Sequence, residues 1–160
     1  MTDIDFWLLI IAIFILIIIS AFFSSSETAL TAVSDARMHQ ISKKGDKRAS
    51  IVKTLRAKRD LLISALLIGN NAVNVLASAL ATSTAITLFG EGGVAFAAVV
   101  MTLILVVFAE VLPKSYAFKN ADVFSLRVAR PVQITVKTLK PISQHIGFTV
   151  SLFFKEQKEN

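Results

Sequence analysis

No charged residue interrupts the chain between Glu91 and Glu110, and the apolar run there ends in Phe108-Ala109-Glu110-Val111-Leu112-Pro113-Lys114. At about 1.5 Å per helical residue, such a run comes close to crossing a bilayer core of roughly 30 Å. Glu110 stands inside its last apolar turns. A carboxylate in hydrocarbon costs about 2.5–3.5 kcal/mol on insertion scales, so it needs company. Pro113, three residues on, has no N–H, and its ring crowds the carbonyl of Ala109. The sequence therefore predicts an acid beside a freed backbone carbonyl at membrane depth. Both are oxygen ligands, the kind a hard cation takes.

Two more apolar blocks frame this one. Phe6–Phe23 carries no charge, and neither does Leu61–Gly90. A soluble domain would space its apolar residues with a helix or strand period instead of collecting them in blocks. The first block does not read as a signal peptide, because Asp3 and Asp5 replace a basic leader and no small-residue cleavage site follows. With a mean hydropathy of +0.68, the chain belongs to the membrane class. The absence of cysteine excludes disulfides and thiolate metal sites. The net charge of +6 comes from basic residues beside the apolar blocks, so it reports topology. No nucleic-acid motif is present, and no nucleic acid is expected as a partner.

Each block carries its own polar signal. The first ends in Ser24-Ser25-Ser26-Glu27-Thr28. A helix through these residues to Val33 exceeds the bilayer, so a tilt, kink or break near the serines is expected. The plain alternative is that the serines bond their own backbone or a neighbouring helix. In the second block Asn70, Asn74 and Ser78 share one helix face, and Asn71 points about 100° away. Interhelical hydrogen bonding is the plain alternative here. The small residues Ala77, Ala81 and Ala85 allow close helix packing.

Between the first two blocks, 34–60 reads as a helical hairpin split at Gly45-Asp46. Ser34 or Asp35 is one N-cap and Asp46 the next. Met38 and Ile41 mark one apolar face; Ile51, Val52 and Leu55 mark the other. Nine basic residues, from Arg37 to Arg59, would place it against anionic head groups or simply leave it solvated. His39 among them reads as a surface histidine. The turn at Phe89–Gly93 holds no lysine or arginine. The positive-inside rule then puts the N-terminus and this turn outside, the hairpin and the C-terminus in the cytoplasm. Beyond Lys114, a short amphipathic run over Asp122–Arg130 is expected to stop at Pro131. Val132, Val136, Leu139, Ile142, Ile146, Val150 and Phe153 then mark an interfacial helix, bent at Pro141. A helix packed on a soluble domain is the alternative. His145 falls on its polar side.

The serines, the asparagines and Glu110 share one explanation if they converge. They would offer hydroxyl, amide, carboxylate and backbone oxygens, with no sulfur or imidazole, and that set suits a hard cation. One carboxylate against a divalent ion favours releasable binding. Magnesium prefers octahedral geometry at about 2.0–2.1 Å and holds its water, so either retained waters or a closely fitted cage is expected.

Phe23-Ser24-Ser25-Ser26-Glu27-Thr28-Ala29-Leu30, Gly69-Asn70-Asn71-Ala72-Val73-Asn74 and Phe108–Lys114 together resemble the transmembrane domain of the CNNM/CorC magnesium transporters. The resemblance covers roughly 6–141. It implies an all-α membrane protein: three transmembrane helices with a cytoplasmic-side helical hairpin and juxtamembrane amphipathic helices, assembled as a homodimer. On that reading 1–140 is the three-span domain and 119–156 the juxtamembrane part. It implies magnesium efflux across a bacterial inner membrane, coupled to sodium entry as an antiporter, and no enzymatic activity. The positions matching the family's magnesium site are Ser24, Ser25, Asn70, Asn74 and Glu110. Family members continue into a CBS-domain pair that binds ATP. Nothing after Asn160 supplies it here, so ATP is expected to act only through domains outside this chain.

A non-transporting magnesium sensor or membrane anchor is the competing reading. An intramembrane enzyme is disfavoured, because no histidine lies in an apolar block and no base accompanies the serines.

Overall fold

In the computed structural model, residues 3–155 are described, with side chains from 4 to 143. All of the regular elements among them are helical. Helix α1 (Asp3–Ala32) runs unbroken through the serine cluster, so the break expected there does not occur. The reason is local. Ser25, Thr28 and Thr31 donate their hydroxyl protons to carbonyls three or four residues back, and the helix absorbs them.

The hairpin follows its sequence signals. Ser34 accepts from the Arg37 amide and caps α2 (Asp35–Lys43). Asp46 accepts from the Arg48 amide and caps α3 (Lys47–Ala57). Gly45 between them takes φ +94°, the left-handed region open to glycine.

Helix α4 (Arg59–Phe89) packs along α1, and the contact is closest at Gly69. A Cβ there would stand 2.8 Å from the Phe23 ring, so only a bare backbone lets the helices meet at this spacing. A short 3-10 turn at Gly90–Gly92 reverses the chain into α5 (Gly93–Ile104), which returns against α4. The Ala77–Ala85 stripe serves this packing, with Ala77 and Ala85 buried. Next comes a π-helical segment, Leu105–Val111, then α6 (Leu112–Lys119) and α7 (Ala121–Lys155).

Two helical stretches are long and apolar enough to cross a membrane, Ile4–Ala32 and Arg59–Lys119, and the second doubles back at Gly90. Their outward faces carry exposed Trp7, Phe14, Val75, Phe96 and Leu103. An exterior so apolar fits lipid, not water.

The main core lies at the other end, where Leu30, Met38, Val52, Leu62, Leu66 and Val132 bury one another. The hairpin is thus packed onto α1, α4 and α7 through the faces marked by Met38, Val52 and Leu55. Pro131 does not stop the last helix, which continues to Lys155. Pro131 and Arg127, whose carbonyl it frees, both lie on the exposed face, where solvent or head groups can satisfy that oxygen. Ile146, Val150, Phe153 and His145 fall outside the described side chains.

Candidate functional site

Two contacts and one cluster fix the register at membrane depth. Ser20 Oγ donates to Asn70 Oδ1 at 2.7 Å, and Phe23 meets Gly69. Further out, Ile13, Ala77 and Met101 pack together, with Leu16, Ile17 and Leu105 against them. Helix α5 runs parallel to α1, so continuing both inward brings Ala109 and Glu110 to the level of Ser20. The π segment there packs against α1, and Ala109 is fully buried. Ser20, Asn70 and the Ala109–Glu110 turn therefore converge on one level.

Ser24 and Asn74 sit on either side of that level, each one helical turn away, about 5.4 Å along the axis. Both lean back toward it. Side chains tilt toward the N-terminus of their helix, and α1 and α4 are antiparallel. Ser24 Oγ and Asn74 Oδ1 are buried with no hydrogen-bond partner. Orphaned buried oxygens of this kind cost about 1–3 kcal/mol each, so a native chain keeps them for a reason. Ser26 Oγ and Ser143 Oγ are also unpartnered, but Ser26 lies on roughly the opposite side of α1 from Ser24 and Ser143 is on α7. Ser25 differs. Its hydroxyl proton goes to the carbonyls of Ala21 and Phe22, at 2.6 and 3.1 Å, which leaves the oxygen lone pairs. Of the serines singled out in the sequence, Ser24 faces the seam with a free oxygen and Ser25 gives its proton to its own helix. Asn71 is exposed, away from both.

The π segment is the local consequence of Pro113. A proline cannot donate to the carbonyl four residues back, and the widened turn takes up the mismatch. The amide of Leu112, just before it, reaches five residues back to Val107 O. Glu110 rides on this turn, partly buried. The ion pairs among the described residues join Arg37 to Asp122, Arg48 to Asp46 and Arg56 to Asp35. Lys114, one turn from Glu110, thus does not neutralise it. No three His, Cys, Asp or Glu side chains cluster among the described residues, so a cation here would rely on one carboxylate and neutral oxygens.

The polar stripe of α1 continues inward from Ser20 and Ser24 to Glu27 and Thr31. There a groove of about 290 Å³ opens, lined by Glu27, Thr28, Thr31, Lys114 and Phe118. Ser20 was not singled out in the sequence. A lone serine inside an apolar block carries no motif; its one signal is the i, i+4 spacing to Ser24.

Residues 10–160 match the family profile described as the cyclin M transmembrane N-terminal domain, CNNM. The chain belongs to the CNNM/CorC family of membrane domains. Among relatives of this CNNM domain, the UPF0053 inner membrane protein YfjD of Escherichia coli is 50% identical over 99 residues, 62% of this chain and 23% of that protein. A UPF0053 protein of Haemophilus influenzae is 37% identical over 134 residues, 84% of this chain and 32% of that protein. A DUF21 domain-containing chloroplastic protein of Arabidopsis thaliana is 34% identical over 134 residues, 84% of this chain and 20% of that protein. The CNNM domain thus spans between 20% and 32% of the length of these relatives.

Proposed function

We propose that this CNNM domain carries magnesium across the bacterial inner membrane, as efflux driven by sodium entry. The chain crosses three times, through α1, α4 and the α5–α6 stretch, with the N-terminus outside and the hairpin and C-terminus in the cytoplasm. It works as a homodimer, and ATP acts only through domains outside this chain. The relative named as an inner membrane protein supports the location. The basic hairpin and the uncharged-to-acidic Gly90 turn support the orientation. The family supports the efflux, its coupling and the dimer.

One observation carries the cation. Ser24 Oγ and Asn74 Oδ1 are buried without partners on either side of the Ser20–Asn70 pair, and the Glu110 carboxylate at the depth of that pair enters no ion pair among the described residues. A divalent ion with part of its water shell supplies the missing positive charge and, directly or through that water, partners for Ser24 Oγ and Asn74 Oδ1. The oxygens are strung along more than one helical turn, which favours an ion that keeps part of its water over one stripped into a tight cage. Such binding is weak enough to release. Ser20, Ser24, Ser25, Asn70, Asn74 and Glu110 are the residues assigned to it.

Proteoliposomes carrying a trapped magnesium indicator test transport. The proposal expects flux that follows an imposed sodium gradient and is lost in Glu110→Ala. Magnesium binding with no flux under any gradient would favour a sensor that signals to a cytoplasmic domain.

A further inference from the structure

A cleft of about 660 Å³ opens at the inner ends of α1 and α4, under the helical hairpin. Leu30 and Leu62 form part of its floor, and His39, Lys53, Arg56 and Arg59 stand around it with Asp35. The charges in this cleft do not cancel. Arg56 is fully engaged, with Asp35 at 2.9 Å and the carbonyls of Leu30, Thr31 and Val33. That uses the only carboxylate lining the cleft. Lys53 and Arg59 enter none of the ion pairs among the described residues. The Lys53 ammonium lies 3.0 Å from His39 Nδ1. Two cations therefore line this cleft with no carboxylate among the described residues paired to them. Lysines and arginines on an open surface are met by water, whereas these two share a concave site.

We infer that this cleft binds a phosphate-bearing anion, with Lys53 and Arg59 holding the phosphate. Arginine suits a phosphate bidentately, and lysine adds a point charge. The cleft lies where α1 ends at Ala32 and the apolar run of α4 begins after Asp60, the level at which an anionic lipid presents its head group. This assignment is independent of the magnesium proposal.

The test compares Lys53→Gln/Arg59→Gln with Lys43→Gln/Lys44→Gln in the full chain. Both remove two charges from the hairpin region, and only the first pair lines the cleft. Retention of phosphatidylglycerol over phosphatidylcholine is read by native mass spectrometry. It should fall about tenfold or more in the first variant and less than about twofold in the second. Inorganic phosphate, titrated against thermal unfolding in detergent, separates the sources. A rise in Tm of the parent protein that the cleft variant lacks assigns free phosphate; lost lipid retention without such a rise assigns the head group. Equal losses in both variants, or unchanged lipid retention with no phosphate response, would overturn the inference. Arg56 is left untouched because it holds the fold, and Lys53→Gln alone reads the same way should the double variant fail to fold.

Discussion

The inner hairpin and the seam at membrane depth both gather polar side chains around α1, and they treat them in opposite ways. At the hairpin the central donor, Arg56, is fully spent. Arg56, with its side chain only 22% exposed, meets three terminal carbonyls of α1 and the Asp35 carboxylate. It closes the end of a long helix, where unpaired carbonyls and the negative end of the dipole both call for a cation. Around it Leu30, Met38, Val52 and Leu62 are buried. In the seam, by contrast, Ser24 Oγ and Asn74 Oδ1 are buried and unpaired, and Glu110 enters no ion pair among the described residues. Saturated polar groups fix a structure. Unsaturated ones weaken it, and they persist where a ligand completes them.

The largest effect should come from the saturated region. Arg56→Ala leaves three carbonyls and Asp35 without their donor and should cost about 2–4 kcal/mol. It should lower Tm in detergent while leaving magnesium affinity nearly unchanged. Arg56→Lys should recover only part, since one ammonium cannot reproduce the guanidinium fork. A negligible loss would make Arg56 one more solvated cation and erase the contrast.

Next in size is the contact that sets the seam. Gly69→Val drives side-chain atoms into the Phe23 ring and should cost about 1–3 kcal/mol by overpacking. Because Asn70 is adjacent, magnesium affinity should fall with stability. Adding Phe23→Ala should restore both. Failure of that rescue would mean that the register deduced here is wrong.

Smaller, and opposite in sign, is Asn74→Leu. Removing a buried, unpaired amide oxygen should leave stability unchanged or raise it by up to about 1 kcal/mol. Magnesium binding should weaken at the same time. A clear loss of stability would show that Asn74 already has a structural partner, as the hairpin residues do.

The smallest effect belongs to Asp46, the N-cap of α3. The Arg48 side chain bonded to it, together with the Arg48 amide, holds its carboxyl below the usual aspartate range. A carboxyl whose pKa is depressed by folding stabilises the folded state above its unfolded value, about 3.9, and loses that contribution as the pH falls. Local hydrogen exchange in α3 should therefore rise only below about pH 4, and Asp46→Asn should remove the dependence. The group is solvent-screened, so global Tm should scarcely move.

How much of this was legible in the sequence follows the same division. The apolar blocks, the caps at Ser34 and Asp46 and the shared face of Asn70 and Asn74 could be read because each depends on neighbours within a few residues. The role of Arg56 could not, because nine basic residues look alike until the fold brings one of them to the end of α1. Ser20 was hidden for a similar reason: its importance is a contact across fifty positions to Asn70. The prolines divide in the same way. Pro113 does disturb its helix, and the result is a widened π turn. Pro131 was expected to end a helix, which instead runs on because the freed carbonyl faces outward. What a proline does depends on which face of the helix it occupies, and burial is not printed in the sequence.

Calorimetric titration of magnesium into Glu110→Gln, beside the parent protein, bears most directly on the seam. Glutamine keeps the shape and one oxygen but removes the charge. Affinity should drop by about 100-fold or more with Tm held or slightly raised, since the charge is the dominant attraction for a hard cation in a low-dielectric site. Magnesium bound as tightly as before would contradict the account, because the carboxylate at the π turn would then be meeting no ion.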